Sequence, residues 1–325
     1  MIIVTGGAGF IGSNLVNELL RQKKNVIVCD YKQAVRKKYF HQFKLINDFI
    51  EPSELEKYIL NNEIEIVFHL GAISSTTYEN NNILWLNNTI FSINLWKLCS
   101  KKRIRLIYAS SAATYGNGKD GFKDLQDYKY IEKLKPLNVY GWTKQQTDLR
   151  QVFLSNYLNI SPPQWLGVKF FNVYGNNEFH KVHMSSVILK TYKEILEKKQ
   201  TKLFKSYNDN YIDGEQKRDF IYVKDCINVL LWFMENSNIS GIYNLGTGES
   251  RTFLDLVCAV YKEMNKNVNI KFVDMPEKIK KQYQYETKAD LKNIRSIGYN
   301  KKFFSLEDGI KDYIRNLVNK KNELS

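Results

Sequence analysis

The sequence is poor in the residues that mark several function classes. Its 325 residues hold only 5 prolines and 17 glycines. That argues against long disordered linkers, and no low-complexity tract is visible. No apolar run reaches the ~18 residues of a membrane-spanning helix, so no membrane span is expected. Met1 to Thr5 reads as a strand, with no basic segment before a long apolar one, so no signal peptide is expected. The four cysteines, Cys29, Cys99, Cys226 and Cys258, lie outside metal-ligand spacing of one another, each in an apolar stretch. They read as buried, reduced thiols of a cytoplasmic protein. His180 and His183 read as polar loop residues, and no metal is expected. One sign of charge is in excess: 48 lysines and arginines against 34 acids give a net charge of +14. The lysines are dispersed and no nucleic-acid recognition motif accompanies them, so general lysine enrichment and small anionic ligands account for the excess better than nucleic acid does.

What is present is alternation. Strand-like runs at 2–5, 25–30, 64–69, 104–110 and 165–171 are separated by helical patterns over 11–22, near 52–60, over 81–101 and from about Tyr140. Repeated β-α-β units imply a parallel sheet with helices on both faces. The expected fold is α/β, a Rossmann-type doubly wound sheet with a smaller α/β substrate-binding lobe. Residues 1–174 would form the dinucleotide-binding domain, joined by a returning segment near 215–245. Residues 175–325 would form mainly the substrate lobe, with helices near 184–199, 225–236, 252–264 and 306–319.

The run "I-I-V-T-G-G-A-G-F-I-G-S-N" sets Gly6, Gly9 and Gly12 between the first strand and the first helix. Glycines there permit a tight turn and close approach of backbone N–H groups to a pyrophosphate, beside a positive helix end. A bare glycine pattern is weak, but this one has the required strand and helix around it. Asp30 ends the second strand, where an acid binds an adenosine ribose, which favours NAD. Lys32, Arg36, Lys37 and Lys38 follow at once, and such a cluster suits the 2′-phosphate of NADP or is simply a solvated loop. Both cofactors stay open on these residues. Gly71 and Ala72 after the third long strand would let backbone pass close to the cofactor.

"Y-A-S-S-A-A-T-Y-G" places Ser110 and Ser111 at the end of a strand, where doubly wound sheets bind ligands. Tyr140 and Lys144 follow in "N-V-Y-G-W-T-K", four residues apart and so on one helix face. An ammonium and a nicotinamide cation beside a phenol would lower its pKa from ~10, leaving a general base for a substrate hydroxyl. Either serine could hold that hydroxyl. On its own Y-x-x-x-K is a chance pattern; the glycine turn and the serine strand end give it meaning.

With T-G-G-A-G-F-I-G, S-S-A and Y-G-W-T-K in this order, the chain resembles the extended short-chain dehydrogenase/reductase family. Within it the resemblance runs nearly end to end to the epimerases of ADP-heptoses. It is carried further by "G-A-I-S-S-T-T", "F-F-N-V-Y-G-N-N-E-F-H-K-V-H-M", "K-R-D-F-I-Y-V-K-D" and "Y-N-L-G-T-G". The resemblance implies inversion at C6 of the heptose in ADP-D-glycero-D-manno-heptose, for the heptose of lipopolysaccharide core. The route would be hydride transfer to bound NADP, with NAD the alternative, through a 6-keto intermediate. It also implies a homo-oligomer, a pentamer. Tyr140 and Lys181 would be the two proton-handling groups, with Ser111 and Lys144 assisting. Lys181 has the alternative of binding phosphate or sugar.

Cofactor contacts carry over onto Gly6, Gly9, Phe10, Ile11, Gly12, Asp30, Tyr31, Lys37, Leu70, Gly71, Ala72, Ile73, Ser74, Asn87, Lys144, Val173 and Lys181. Substrate contacts carry over onto Ser75, Asn172, His183, Lys190, Phe204, Lys205, Ser206, Tyr207, Arg218 and Tyr283. Arg218 would pair with the ADP pyrophosphate or, alternatively, with Asp219. The chain departs from the family at Leu70, usually Glu, at Pro52, where a lysine is expected, and at His183 and Lys190, usually serine and histidine. Rival readings are a UDP-hexose 4-epimerase, which needs neither S-S-T-T nor H-K-x-x-M, and a non-catalytic dinucleotide sensor, which needs no Tyr140–Lys144 pair. A 4,6-dehydratase is disfavoured because Ser111 to Thr114 holds no carboxylate.

Overall fold

Short β-branched runs become strands because they are buried on both sides. In a computed structural model, residues 1–35, 49–75, 78, 80–179, 184–280 and 283–322 are described. The strands in chain order are Ile2–Thr5 (β1), Val26–Cys29 (β2), Phe49–Ile50 (β3), Ile66–His69 (β4), Arg105–Ser111 (β5) and Trp165–Phe170 (β6). Asn172–Tyr174 (β7), Thr201–Phe204 (β8), Lys217–Arg218 (β9), Phe220–Tyr222 (β10), Gly241–Leu245 (β11), Arg251–Thr252 (β12) and Ile270–Val273 (β13) follow. Seven of them form one sheet in the order β11-β6-β5-β4-β1-β2-β3, with every pairing parallel. The chain runs outward from β1 to β3 and returns at β4. The crevice between β1 and β4 is therefore the topological switch point, where ligands bind beyond the strand ends.

Residues alternate between the faces of the sheet. Val4, Val28, Phe68 and Val168 pack with Leu15 and Leu19 of one helix and Val229 and Leu230 of another. Ile3, Ile27, Val67 and Leu106 pack with Ile59, Trp96 and Val152 on the opposite face. A third core, around Ile188, Leu203, Val257 and Ile310, belongs to the later part of the chain.

The ends of the expected helices lie within three residues of the sequence expectation, short helices at Lys32–Val35, Tyr128–Lys133, Glu277–Lys280 and Lys292–Ser296 were not expected, and three further differences stand out. The long helix near 81–101 contains a π-helical turn over Trp85–Ile90. The strand expected over 165–171 stops at Phe170, because the chain leaves the main sheet at Phe171 and pairs Asn172–Tyr174 with β10. Cys258 is only partly buried, not fully as expected, whereas Cys29, Cys99 and Cys226 are buried. Burial pushes the Cys29 and Cys99 thiols up to about 12. Among the described residues no helix is long and apolar enough to cross a membrane, and no three His, Cys, Asp or Glu side chains could hold a metal ion.

Candidate active site

The turn after β1 is built backbone against backbone. Gly6 has φ +65°, and a Cβ on it would lie 2.5 Å from the Gly71 Cα. A Cβ on Gly12 would lie 2.1 Å from the Gly6 carbonyl oxygen. No side chain caps the helix Phe10–Arg21, whose amino end follows Gly9. Asp30 secures the turn from β2, its Oδ2 accepting from Ala8 N at 2.9 Å and its Oδ1 from Tyr31 N at 2.8 Å.

The opposite wall is the loop after β4, held from beneath by a directional chain. The Gly71 N–H donates to Thr5 Oγ1 at 3.2 Å. The Thr5 hydroxyl proton then points to His69 Nδ1 at 2.7 Å. His69 Nε2 lies 2.8 Å from Ser92 Oγ, which donates to the Asn88 carbonyl at 2.6 Å. The chain requires the Nε2–H tautomer, and burial keeps that imidazole neutral, down at about 3. Asn88 sits in the π-helical turn and grips Ile73 through both backbone groups, at 2.9 and 3.0 Å. The same amide donates to Thr143 Oγ1 at 3.2 Å, next to Lys144.

Between these walls lies a cleft of about 420 Å³. Every cofactor residue expected from sequence borders it except Lys37 and Lys181, which lie outside the described residues, as does His183. Thr5, Ala8, Ala109, Phe170 and Phe171, which lie within the quoted motifs, border it too, as do Pro52 and, unannounced by any motif, Cys29, Ala34, His69 and Phe91. Pro52, where a lysine was expected, contributes no charge.

The inner end carries the reactive side chains. Asn138 caps the helix Val139–Leu158, accepting from Gly141 N at 2.9 Å, and so starts the helix where Tyr140 meets the end of β5. Ser111 hydrogen-bonds Tyr140. Ser110 does not offer its hydroxyl: it donates to Asp148 Oδ2 at 2.7 Å and is buried. Of the two serines left open by the sequence, Ser111 is the one at Tyr140. Lys144 is 2% exposed and donates to the Ala109 carbonyl at 2.7 Å. Burial pushes its ammonium down to about 8, with Asp148 opposing. The expected fall in the Tyr140 pKa is reversed among the protein's own groups: burial raises it, Ser111 lowers it and Asp148 adds to the rise.

A second assembly gathers Phe204, Lys205, Ser206, Tyr207, Arg218 and Tyr283. Gln216 Nε2 donates to the Phe204 and Lys205 carbonyls at 3.3 and 3.2 Å. The Tyr285 hydroxyl accepts from Tyr207 N at 2.9 Å, and its ring packs edge-on against Tyr283 at 5.2 Å. The Arg218 guanidinium lies over Tyr283 at 5.0 Å and Phe253 at 5.6 Å. It does not pair with Asp219, whose carboxylate accepts from Thr247 N, Gly248 N and Ala289 N. Asn172 joins this region through Thr287, at 3.4 Å. Ser75 continues the loop after β4, and Lys190 lies on the helix Val187–Leu196.

Residues 2–246 match the model of the NAD dependent epimerase/dehydratase family. The chain is 41% identical to the ADP-L-glycero-D-manno-heptose-6-epimerase of Fusobacterium nucleatum over 333 residues, covering 99% of each. It superposes on the crystal structure of the Helicobacter pylori ADP-L-glycero-D-manno-heptose-6-epimerase with a TM-score of 0.79 at 28% identity, covering 98% of this chain and 96% of that one. A UDP-glucuronic acid 4-epimerase from Bacillus cereus, solved with UDP-glucuronic acid and NAD, superposes with a TM-score of 0.75 at 25% identity, covering 97% and 99%.

Proposed function

Because the chain belongs to the NAD dependent epimerase/dehydratase family, we propose that it is an isomerase inverting C6 of the heptose in ADP-D-glycero-D-manno-heptose. The product, ADP-L-glycero-D-manno-heptose, supplies lipopolysaccharide core heptose. The observation that carries this is Ser111, Tyr140 and Lys144 at the inner end of the glycine-turn cleft. The substrate is taken from the named relatives of near-equal length.

The cleft fits a dinucleotide on its own geometry. Gly6 and Gly12 leave no room for a methyl, and an uncapped helix amino end faces the space where a pyrophosphate would lie. When bound, the nicotinamide supplies reversible hydride acceptance, which is needed because C6 has no neighbouring carbonyl and its C–H is not acidic. Tyr140 takes the proton of the C6 hydroxyl as the hydride leaves C6. Ser111 orients that hydroxyl. Lys144 lends positive charge that favours the phenolate against the burial that opposes it. The oxygen moves when the sugar end reorients, so the return step needs a second proton carrier, for which Lys181 is our candidate. Arg218, stacked and without a carboxylate partner among the described residues, suits the ADP pyrophosphate. Residues 175–325 are read as mainly the substrate side, and the setting as a cytoplasmic homo-oligomer, a pentamer.

NADP is our choice over NAD, on the basic residues Lys32, Arg36, Lys37 and Lys38 that follow β2. The test is one experiment in two steps. Heat-denatured protein should release a nicotinamide dinucleotide that an NADP-specific cycling enzyme accepts. Native protein should interconvert the two ADP-heptose epimers. Turnover of a UDP-hexose with no interconversion of the heptoses would overturn this reading.

A further inference from the structure

The helix face that carries Tyr140 and Lys144 continues, four residues on, with Asp148. Asp148 is fully buried. Its Oδ2 accepts from Ser110 at 2.7 Å and from Lys169 Nζ at 2.5 Å, and its Oδ1 accepts from the Tyr108 hydroxyl at 3.1 Å. Lys169, also buried, donates to Thr114 Oγ1 at 2.8 Å and lies 4.9 Å from the Tyr115 ring centre. Thr114 in turn donates to the Ser111 carbonyl at 2.8 Å. One carboxylate thus ties the Tyr140 helix to β5, to β6 and to the turn that follows Ser111. Of Tyr108, Ser110, Thr114, Asp148 and Lys169, only Ser110 borders the cleft.

A buried ion pair is a costly way to join three elements, since apolar side chains of similar volume often do so as well or better. Its use here calls for an electrostatic reason, and Lys144 provides one. That ammonium is buried, with a neutral carbonyl for its acceptor. The ionisable groups tied to it are Asp148 on its own helix and His69 from β4, with Tyr140 at the same inner end of the cleft. Burial keeps the imidazole and the Tyr140 phenol neutral, so among the described residues Asp148 is the anion that acts on Lys144.

We propose that Asp148 is a positioning residue for the reaction: it supplies the counter-charge that keeps Lys144 an ammonium beside Tyr140, and it turns the Ser110 hydroxyl away so that Ser111 alone meets the substrate. This rests on the assignment of Tyr140 and Lys144 to the chemistry, and its test is independent of turnover. The holoenzyme carrying [13Cε]lysine is titrated by NMR, with the Lys144 resonance identified by its loss in Lys144→Arg. Asp148→Asn keeps the size and an acceptor oxygen but removes the charge. It is expected to lower the Lys144 midpoint by roughly one pH unit. The alkaline limb of the epimerisation rate should move with it. Asp148→Asn leaves Lys169 unpaired and endangers folding. Asp148→Asn/Lys169→Met has no such orphan, and its midpoint should fall between the single variant and the wild type. Unchanged Lys144 midpoints in folded variants would overturn the proposal. Shifted midpoints in a protein that leaves ADP-heptoses unchanged would uphold the electrostatics and overturn the assigned function instead.

Discussion

At the Gly6 turn one loop's backbone rests on another's, whereas around Arg218 side chains stack on side chains. The turn has no slack: Gly6 meets Gly71, and Gly12 meets the Gly6 carbonyl. The Arg218 assembly is made of rings 5.0 to 5.6 Å from a guanidinium, its flank completed by exposed contacts such as Lys205 with Asp274. A site built from backbone presents the same N–H groups whatever the neighbouring side chains are, which suits an invariant group such as a pyrophosphate. A site built from stacked side chains can be retuned one residue at a time, which suits a substrate whose sugar and base differ between relatives even where one of its side chains, Arg218, meets a common phosphate group.

The largest effect should come from Tyr140→Phe, which removes the proton carrier and leaves the ring. Turnover of ADP-heptose should fall by about 10²–10⁴-fold, while released cofactor per protomer stays as in the wild type. Loss of both together would place Tyr140 in cofactor retention instead. Gly12→Ala comes next. Its methyl has nowhere to go against backbone, so bound dinucleotide should be lost on purification and stability should drop by about 1–3 kcal/mol in a urea titration. Stoichiometric cofactor in that variant would contradict a backbone-built turn.

Arg218→Gln probes the other region. Losing a charged donor to the pyrophosphate should raise KM about 10- to 100-fold with kcat nearly unchanged. A fall in kcat at constant KM would move Arg218 out of ground-state binding. The smallest effect concerns pH. The folded Lys144 loses its proton at about 8, below the unfolded value of ~10.4. The unfolded chain therefore binds more protons across this window, and stability from this group rises with pH and is lost as pH falls through 8. Between pH 7.5 and 9 the wild type should gain about 1 kcal/mol relative to Lys144→Met, read from paired urea titrations. A difference independent of pH would mean that Lys144 is not titrating there.

Much of the cleft was legible in the sequence. The glycine turn, Asp30, the loop after β4 and Tyr140 with Lys144 each sit next to a strand end, and strand ends follow from apolar periodicity. Lys144 and Asp148 even share a visible spacing of four. Its meaning was hidden, because the partners that make Asp148 matter, Ser110 and Lys169, are 38 and 21 residues away. His69 and Asn88 were equally hard to find. Their hydrogen bonds depend on how a π-helical turn sits against two loops, and no local pattern announces that turn. The burial that opposes ionisation of Tyr140 was hidden for the same reason: the sequence displays the ammonium four residues away but not the packing around the phenol.

Residues a few positions apart were enough to specify the main strands and helices around the cleft, the dinucleotide turn and the Tyr140–Lys144 pair. Only the tertiary structure decided which serine meets Tyr140, where the Lys144 charge is balanced and what Arg218 stacks on. Those outcomes depend on desolvation and on contacts between distant segments, and a buried charge or hydroxyl takes its role from the partner that packing brings to it.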